Sequence, residues 1–283
     1  MRPYDPTLPL VSLHIPKTAG TSLKSTLTDW FGPDRLFLHY RGHHGEAPER
    51  FELGAGHCIH GHFNRLRGIG ALDYYPGARQ FVTFLREPFA RFISQWRYLH
   101  FQQRMGVAVP ALDDNPTFPA WFERRAEAMA QGEDPFSYLG QLPWTVPAED
   151  PTSAFDRDYV AVGIMEDYRN SVRVLAAALG FTPPTATLHV NRADDPHRNG
   201  DPTADFPEWR EPHREAFAIE YAVYETGRAR MLEALAKLNA AQPPRPLTRP
   251  VNRSRTGELS SPRSGSSTGT APCLSRPSQP GPP

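Results

Sequence analysis

The 283-residue chain is poor in cysteine and in long apolar runs, and it carries no net charge. Its two cysteines, Cys58 and Cys273, are too few for a disulfide framework. The apolar run that ends at Ile15 is too short for a signal peptide or a membrane span, which predicts a cytoplasmic protein without a membrane span. A formal net charge of zero gives no reason to expect nucleic acid as a partner.

Lysine is also scarce, because only three of the 31 basic residues are lysines. Residues 243–283 are dominated by Pro, Ser, Gly, Thr and Arg, and contain almost no large apolar side chains. Such a segment cannot bury enough surface to offset the entropy of ordering, so we expect a disordered tail. Residues 8–240 are long enough for one domain with a full core, and we expect residues 106–151 to form an insert of helices and loops.

Short apolar runs alternate with helical patterns along residues 8–240, which predicts a parallel sheet covered by helices on both faces. The apolar runs, expected to be strands, are residues 10–15, 36–40, 57–62, 80–85 and 159–165. The helical patterns cover residues 20–31, 88–104, 119–131, 167–179 and 207–238.

The first strand runs into a loop of small residues, in the stretch LHIPKTAGTSL at residues 13–23. A helix N-terminus with free N–H groups, small residues and a lysine is suited to bind a phosphate. The ATP-binding loop GxxxxGK[ST] places its lysine after the glycine, whereas Lys17 precedes Gly20. The alternative is an ordinary turn whose helix is capped by Thr21 or Ser22.

A second stretch, FVTFLREPFARFISQWRYL at residues 81–99, has the same construction. Arg86 follows an apolar strand, at the sheet edge where open α/β sheets bind ligands. Pro88 begins a helix, and Ser94 lies on it, so that Arg86 and Ser94 could face a second anion. The alternative is an amphipathic helix with a polar N-terminus.

Together the two stretches resemble the carbohydrate O-sulfotransferases that use 3′-phosphoadenosine 5′-phosphosulfate. The resemblance covers most of residues 10–235, including segments at 159–180, 188–196 and 221–231. It implies an α/β fold, a P-loop NTPase-like three-layer sandwich with a central parallel sheet, and no required metal. It implies that Arg86 and Ser94 bind the 3′-phosphate. The residues that it implies for the 5′-phosphosulfate are Lys17, Thr18, Ala19, Gly20, Thr21 and Ser22.

Three histidines lie between the two motifs, in the stretch AGHCIHGHFNRL at residues 55–66. The pair His60 and His62 resembles that of the hexuronic acid (heparan sulfate and uronosyl) 2-O-sulfotransferases, which implies His62 as general base and His60 as its helper. Lys17 would stabilise the transferring group. Glu46 and His14 are rival bases, and a metal site or a structural role are the other readings of the histidines.

The acceptor is expected to be a carbohydrate or a small hydroxylated molecule. Four arginines have two interpretations: they form a basic wall that binds an anionic polymer, or they form a solvated basic face. These arginines are Arg65, Arg67, Arg97 and Arg104. A P-loop kinase-like enzyme and a noncatalytic nucleotide- or glycan-binding protein are the alternative functions, and the sequence does not predict the oligomeric state.

Overall fold

The structure is a computed structural model that describes residues 1–42, 45–114, 116–143, 150–185 and 205–241. The described residues lie in one compact unit, Met1–Pro243. The predictions for residues 188–196 and for the tail at 243–283 fall outside the described residues.

All five apolar runs form strands. The strands are β1 (Leu10–Leu13), β2 (Leu36–His39), β3 (Cys58–Gly61), β4 (Phe81–Leu85) and β5 (Tyr159–Ile164). They form one parallel sheet, with the order β2-β3-β1-β4-β5 in the described part of the chain. Four of these strands are fully buried, as their continuous apolar character predicts, whereas the edge strand β2 is partly exposed.

Helices cover both faces of the sheet, so the predicted three-layer α/β fold is confirmed. The helices are α1 (Gly20–Phe31), α2 (Ala71–Tyr74), α3 (Pro88–Arg104), α4 (Phe118–Ala130), α5 (Tyr138–Gln141), α6 (Pro151–Asp158), α7 (Tyr168–Leu179), α8 (Arg210–Ala216) and α9 (Ala218–Ala241). Apolar residues of α1 and α7 pack on one face, and residues of α5, α6 and α9 pack on the other. No helix of the described residues is long and apolar enough to cross a membrane.

The prediction of one helix over residues 207–238 is wrong. A short 3₁₀ turn, Pro207–Trp209, precedes α8, and the chain leaves helical geometry at Phe217 before α9 begins. Phe217 has φ −118° and ψ 32°, and its buried ring stacks on His213 with 4.5 Å between ring centroids. The break therefore turns Phe217 into the aromatic cluster formed with α3 and α4, which a helical periodicity alone does not reveal.

The order of the strand connections reverses between β1 and β4, which are adjacent and parallel. The connection from β1 leads through α1 to β2 on one side, and the connection from β4 leads through α3 towards β5 on the other. The crevice beyond the carboxyl ends of such neighbouring strands is the usual ligand site of an open α/β sheet. The two motifs identified in the sequence follow these two strands.

Close packing between β2 and β3 requires a glycine at position 61. A Cβ atom there would lie 2.0 Å from the backbone oxygen of His39 on the neighbouring strand. At Gly77 a Cβ atom would meet nothing within 4 Å. Gly61→Ala should therefore lower the free energy of unfolding by about 1–3 kcal/mol through overpacking. Gly77→Ala is the matched control and should leave it nearly unchanged. Denaturant unfolding measures both, and equal stability of the two variants would contradict the register of β2 with β3.

Candidate active site

The loop between β1 and α1, residues 14–19, has an unusual backbone. Lys17 has φ 69° and Ala19 has φ 67°, both in the left-handed region that side chains other than glycine seldom adopt. The buried hydroxyl of Thr18 donates to the carbonyl oxygen of Ile15 at 2.8 Å and holds the loop in this shape. Strained residues of this kind persist where the surroundings impose them, and they cluster at ligand sites.

The start of α1 is left open to a ligand. Ala19 occupies the N-cap position, and no side chain of the described residues caps the helix there. Capping by Thr21 or Ser22, the ordinary-turn interpretation, is therefore not observed. The first N–H groups of α1 and the positive end of its dipole point into the crevice region that follows β1, where they favour an anion.

Gly20 is the first residue of α1 and packs against an imidazole. A Cβ atom at Gly20 would lie 1.7 Å from the ring of His14, so only glycine fits beside this ring. The loop and the histidines are thus packed as one unit.

Arg86 follows β4 and reaches the loop. Its Nη1 atom donates to the carbonyl oxygen of Lys17 at 3.3 Å, which joins the two sequence motifs directly. Burial lowers the pKa of Arg86, with Glu166 acting in the opposite direction, but an arginine stays protonated at neutral pH. Among the described residues Arg86 makes no ion pair with a carboxylate. A partly buried cation of this kind is suited to bind an anion.

Helix α3 forms the wall that faces the loop. The ammonium group of Lys17 lies over the ring of Tyr98, 4.2 Å from its centroid. Ser94 is four residues before Tyr98, so both lie on the same face of α3. The structure therefore brings Lys17, Arg86 and the face of α3 that carries Ser94 together at the carboxyl-terminal edge of the sheet.

Three histidines and a tyrosine form a compact cluster beside the loop, which we name the histidine cluster: His14, His60, His62 and Tyr40. The ring of His14 lies 5.2 Å from that of His60 and 4.4 Å from that of His62, measured between centroids. His14 Nδ1 is hydrogen-bonded to the Tyr40 hydroxyl at 2.9 Å. The expected shared face of His60 and His62 is present, and His14 lies on it as well.

The two members of the His60–His62 pair have different surroundings. His60 is completely buried, and its Nδ1 atom is hydrogen-bonded to the hydroxyl of Ser12 at 2.9 Å. His62 is only partly buried. The Nε2 atoms of both rings are buried and have no hydrogen-bond partner among the described residues, so each ring has a nitrogen that could accept a proton. His62 is the more exposed of the two side chains.

Burial keeps all three imidazoles neutral. Desolvation is the largest cause in each case, and it lowers the pKa of His14 to about 2, of His60 to about 3 and of His62 to about 4. The charge of Arg67 lowers the pKa of His62 further. Each ring is thus present at neutral pH in the form that accepts a proton.

The other predicted residues are dispersed. Arg67 lies over the ring of Phe136 and is close enough to act on His62, but Arg97 makes an exposed ion pair with Asp205. Arg65 donates to the carbonyl oxygen of Leu139. A continuous basic wall that includes Arg97 is therefore not supported by these contacts.

Glu46 belongs to the loop that follows β2. A Cβ atom at Gly42 would lie 2.0 Å from Oε2 of Glu46, so this carboxylate packs on the neighbouring turn. His14, the other rival base, lies beside His62, with 4.4 Å between the ring centroids.

Sequence reasoning missed Tyr40, Ser12 and Tyr138. Ser12 is the hydrogen-bond partner of His60, and Tyr40 is that of His14. Ser12 lies two residues before His14, and Tyr40 directly follows β2, so their positions could have suggested a shared face. Tyr138 lies in the predicted insert and bonds to the backbone of Arg86. No local signal identifies that contact, because it joins residues 52 positions apart.

The fold and this geometry define an α/β protein whose loop after β1 is suited to bind an anion and lies where the strand order of the parallel sheet reverses. The chain belongs to the sulfotransferase family, whose characteristic sequence it matches over residues 4–178. No curated protein sequence matches it. Among solved structures it is similar to the crystal structure of mouse sulfotransferase SULT7A1 complexed with PAP, with 15% identity and a TM-score of 0.49. That similarity covers 83% of this chain and 89% of that chain.

The buried histidines predict acid sensitivity of the fold. A histidine whose pKa is lowered by folding reduces the free energy of unfolding only when the pH is below its unfolded pKa of about 6.5. As the pH falls below that value, the unfolded chain takes up protons that the folded chain does not, until the folded pKa of about 4 is reached for His62. Each such histidine should lower the free energy of unfolding by up to about 1.4 kcal/mol per pH unit in that window.

His39 provides the test, because it lies on the opposite sheet face, where its buried ring stacks on Phe63 at 4.2 Å. Burial lowers its pKa to about 4. Replacing it by phenylalanine should make the loss of stability between pH 7 and pH 5 smaller by about 1–2 kcal/mol. Urea unfolding at the two pH values measures this, and an equal loss in wild type and His39→Phe would show that His39 is not held neutral.

Proposed function

We propose that the protein transfers a sulfuryl group from 3′-phosphoadenosine 5′-phosphosulfate to a hydroxyl group of a carbohydrate or another hydroxylated acceptor. The observation that carries this proposal is the hydrogen bond from Arg86 to the backbone of Lys17. This bond brings two cationic motifs together. A donor with phosphates at both its 3′ and 5′ positions requires two such cationic groups side by side. Membership of the sulfotransferase family supports the reaction class.

The donor would be held by two groups of residues. The N–H groups at the start of α1 and the ammonium of Lys17 suit the 5′-phosphosulfate, with Thr18, Ala19, Gly20, Thr21 and Ser22 shaping the loop. Arg86 and Ser94 suit the 3′-phosphate, since a guanidinium makes paired charge-assisted hydrogen bonds to a phosphate. These groups neutralise the donor without a metal ion.

His62 is the proposed general base. Its neutral ring has an unpartnered Nε2 atom, and it contacts His14, which itself packs on Gly20 at the loop. A pKa of about 4 makes a weak base in the free protein. The negative charges of a bound donor would raise that pKa towards the range in which a base is effective.

In the proposed reaction the acceptor oxygen forms a bond to sulfur while the bond from sulfur to the bridging phosphate oxygen breaks. His62 takes the hydroxyl proton, and adenosine 3′,5′-bisphosphate leaves. Lys17 and the loop N–H groups would stabilise the charge on the transferring group and on the leaving oxygen. His60 would orient its neighbours through its hydrogen bond to Ser12 and would not touch the acceptor itself.

For the acceptor, the resemblance of His60 and His62 to the pair in the hexuronic acid 2-O-sulfotransferases supports a sugar hydroxyl. The position of Arg67 near His62 is compatible with an acceptor that carries an anionic group. Smaller hydroxylated molecules satisfy the same chemistry, so a panel that includes both classes is needed to identify the acceptor.

The donor assignment predicts binding of adenosine 3′,5′-bisphosphate in the presence of a metal chelator. Arg86→Ala should weaken that binding about 10- to 150-fold, because charge-assisted hydrogen bonds contribute about 1.5–3 kcal/mol. Isothermal titration calorimetry measures the affinity, with ATP as the competing ligand. Arg124→Ala is the control, since Arg124 is exposed on α4 and pairs with Asp114. Equal affinities of Arg86→Ala and wild type would remove Arg86 from the donor site, and tighter binding of ATP would favour a kinase-like enzyme.

The base assignment predicts that His62→Ala lowers turnover by about 10²–10⁴-fold while bisphosphate affinity stays nearly unchanged. His60→Ala should cost less, because His60 acts through its neighbours. Transfer of sulfur-35 from labelled donor to a panel of glycans and small glycosides provides the activity measurement. His57→Ala is the control, since its ring packs towards Phe37, away from the cluster. Wild-type turnover of His62→Ala would transfer the assignment to His14 or Glu46.

A further inference from the structure

The backbone of Arg86 is held by a side chain from the segment between α4 and α6. The Tyr138 hydroxyl donates to the carbonyl oxygen of Arg86 at 2.6 Å and accepts from its N–H group at 3.1 Å. Because β4 ends at Leu85, the peptide groups of Arg86 lie beyond the last strand residue. One hydroxyl thus satisfies both backbone groups of the residue that points its guanidinium at the loop.

Tyr138 is itself fixed by buried charges. Its side chain is completely buried, and its N–H group donates to Oε1 of Glu220 at 2.6 Å. The other carboxylate oxygen of Glu220 pairs with Arg91 at 2.5 Å, and the Arg91 guanidinium lies 4.1 Å from the centroid of the Tyr138 ring. All three side chains are at least nine-tenths buried and their charges cancel. A network of this kind is rigid because each buried charge would be costly to separate from its partner.

The network explains Arg91, the second arginine of the REPFAR stretch. Arg91 points away from the loop and into the protein, where it meets Glu220 of α9. The path Arg91–Glu220–Tyr138–Arg86 therefore connects α3, α9 and α5 to the residue that follows β4. Arg86 is anchored through its main chain, which leaves its side chain for the loop and for a ligand.

We propose that Tyr138 is a positioning residue for the donor site, which fixes the main chain of Arg86 so that its guanidinium is held in place for the 3′-phosphate. This inference rests on the proposed function, because it takes Arg86 as the phosphate ligand. Tyr138 would not touch the donor, and it would act on donor affinity without affecting the acceptor.

The chain offers a matched pair of variants. Tyr138→Phe removes only the hydroxyl that holds Arg86. Tyr159→Phe removes a hydroxyl that is equally buried in the same apolar cluster but has no hydrogen-bond partner among the described residues. Tyr138→Phe should weaken adenosine 3′,5′-bisphosphate binding about tenfold and raise the KM for the donor by a similar factor, with the acceptor KM unchanged. Tyr159→Phe should leave both unchanged.

Calorimetry well below the melting temperatures separates positioning from stability. A Tyr138→Phe protein that melts earlier but binds the bisphosphate as tightly as wild type would overturn the inference while leaving the proposed function standing. Failure of the wild-type protein to bind the bisphosphate would instead overturn the proposed function. In an Arg86→Ala background, Tyr138→Phe should cause no further loss of affinity, and a second tenfold loss would contradict an action through Arg86.

Hydrogen exchange of the wild-type protein gives a second measurement that needs no variant. The Arg86 amide lies outside the strand ladder, so its protection should come from the Tyr138 hydroxyl. We expect it to exchange as slowly as the amides of β4, and exchange at the rate of an exposed loop would overturn the anchoring contact.

Discussion

The parallel pairing of β1 with β4 is the constraint on which the candidate active site depends. Val11, Ser12 and Leu13 lie opposite Phe81, Val82 and Thr83. Because the strands run in the same direction, both carboxyl ends reach the same edge of the sheet. Lys17 and Arg86, 69 positions apart in the chain, consequently meet there and are joined by a hydrogen bond.

A second constraint comes from the third strand. β3 pairs with β1 on its other side, with His60 opposite Ser12, and this register places the histidines against the loop. The ring of His14 then lies between His62 and Gly20, and any side chain at position 20 would collide with that ring. The loop that suits a donor and the imidazoles that suit an acceptor proton are therefore packed together, at the cost of burying neutral histidines.

Much of this arrangement was predictable from the sequence, since the two motifs directly follow apolar runs that the sequence marks as strands. The α/β class, the parallel sheet and the shared face of His60 and His62 follow from period and alternation, which are local properties. The roles of Arg91 and Tyr138 are not local. Arg91 is paired with Glu220, 129 positions later in the chain, and only the packed structure brings the two together.

The break at Phe217 and the dispersal of the arginines depend on packing and on ion pairs, which helical periodicity and charge alone do not show. A periodic helical pattern continues through Phe217, whereas in the structure the helix ends there and the ring packs against His213. Likewise the sequence groups Arg65, Arg67, Arg97 and Arg104 by charge alone. Partners such as Asp205 for Arg97, which decide whether an arginine faces a site, are distant in sequence.

A crystal structure of the protein with adenosine 3′,5′-bisphosphate would test the central claim most directly. We predict the 5′-phosphate at the N–H groups that begin α1, beside Lys17, and the 3′-phosphate between Arg86 and Ser94. His62 should face the open side of the 5′-phosphate. A nucleotide bound elsewhere, or one whose 3′-phosphate does not meet Arg86, would contradict the account.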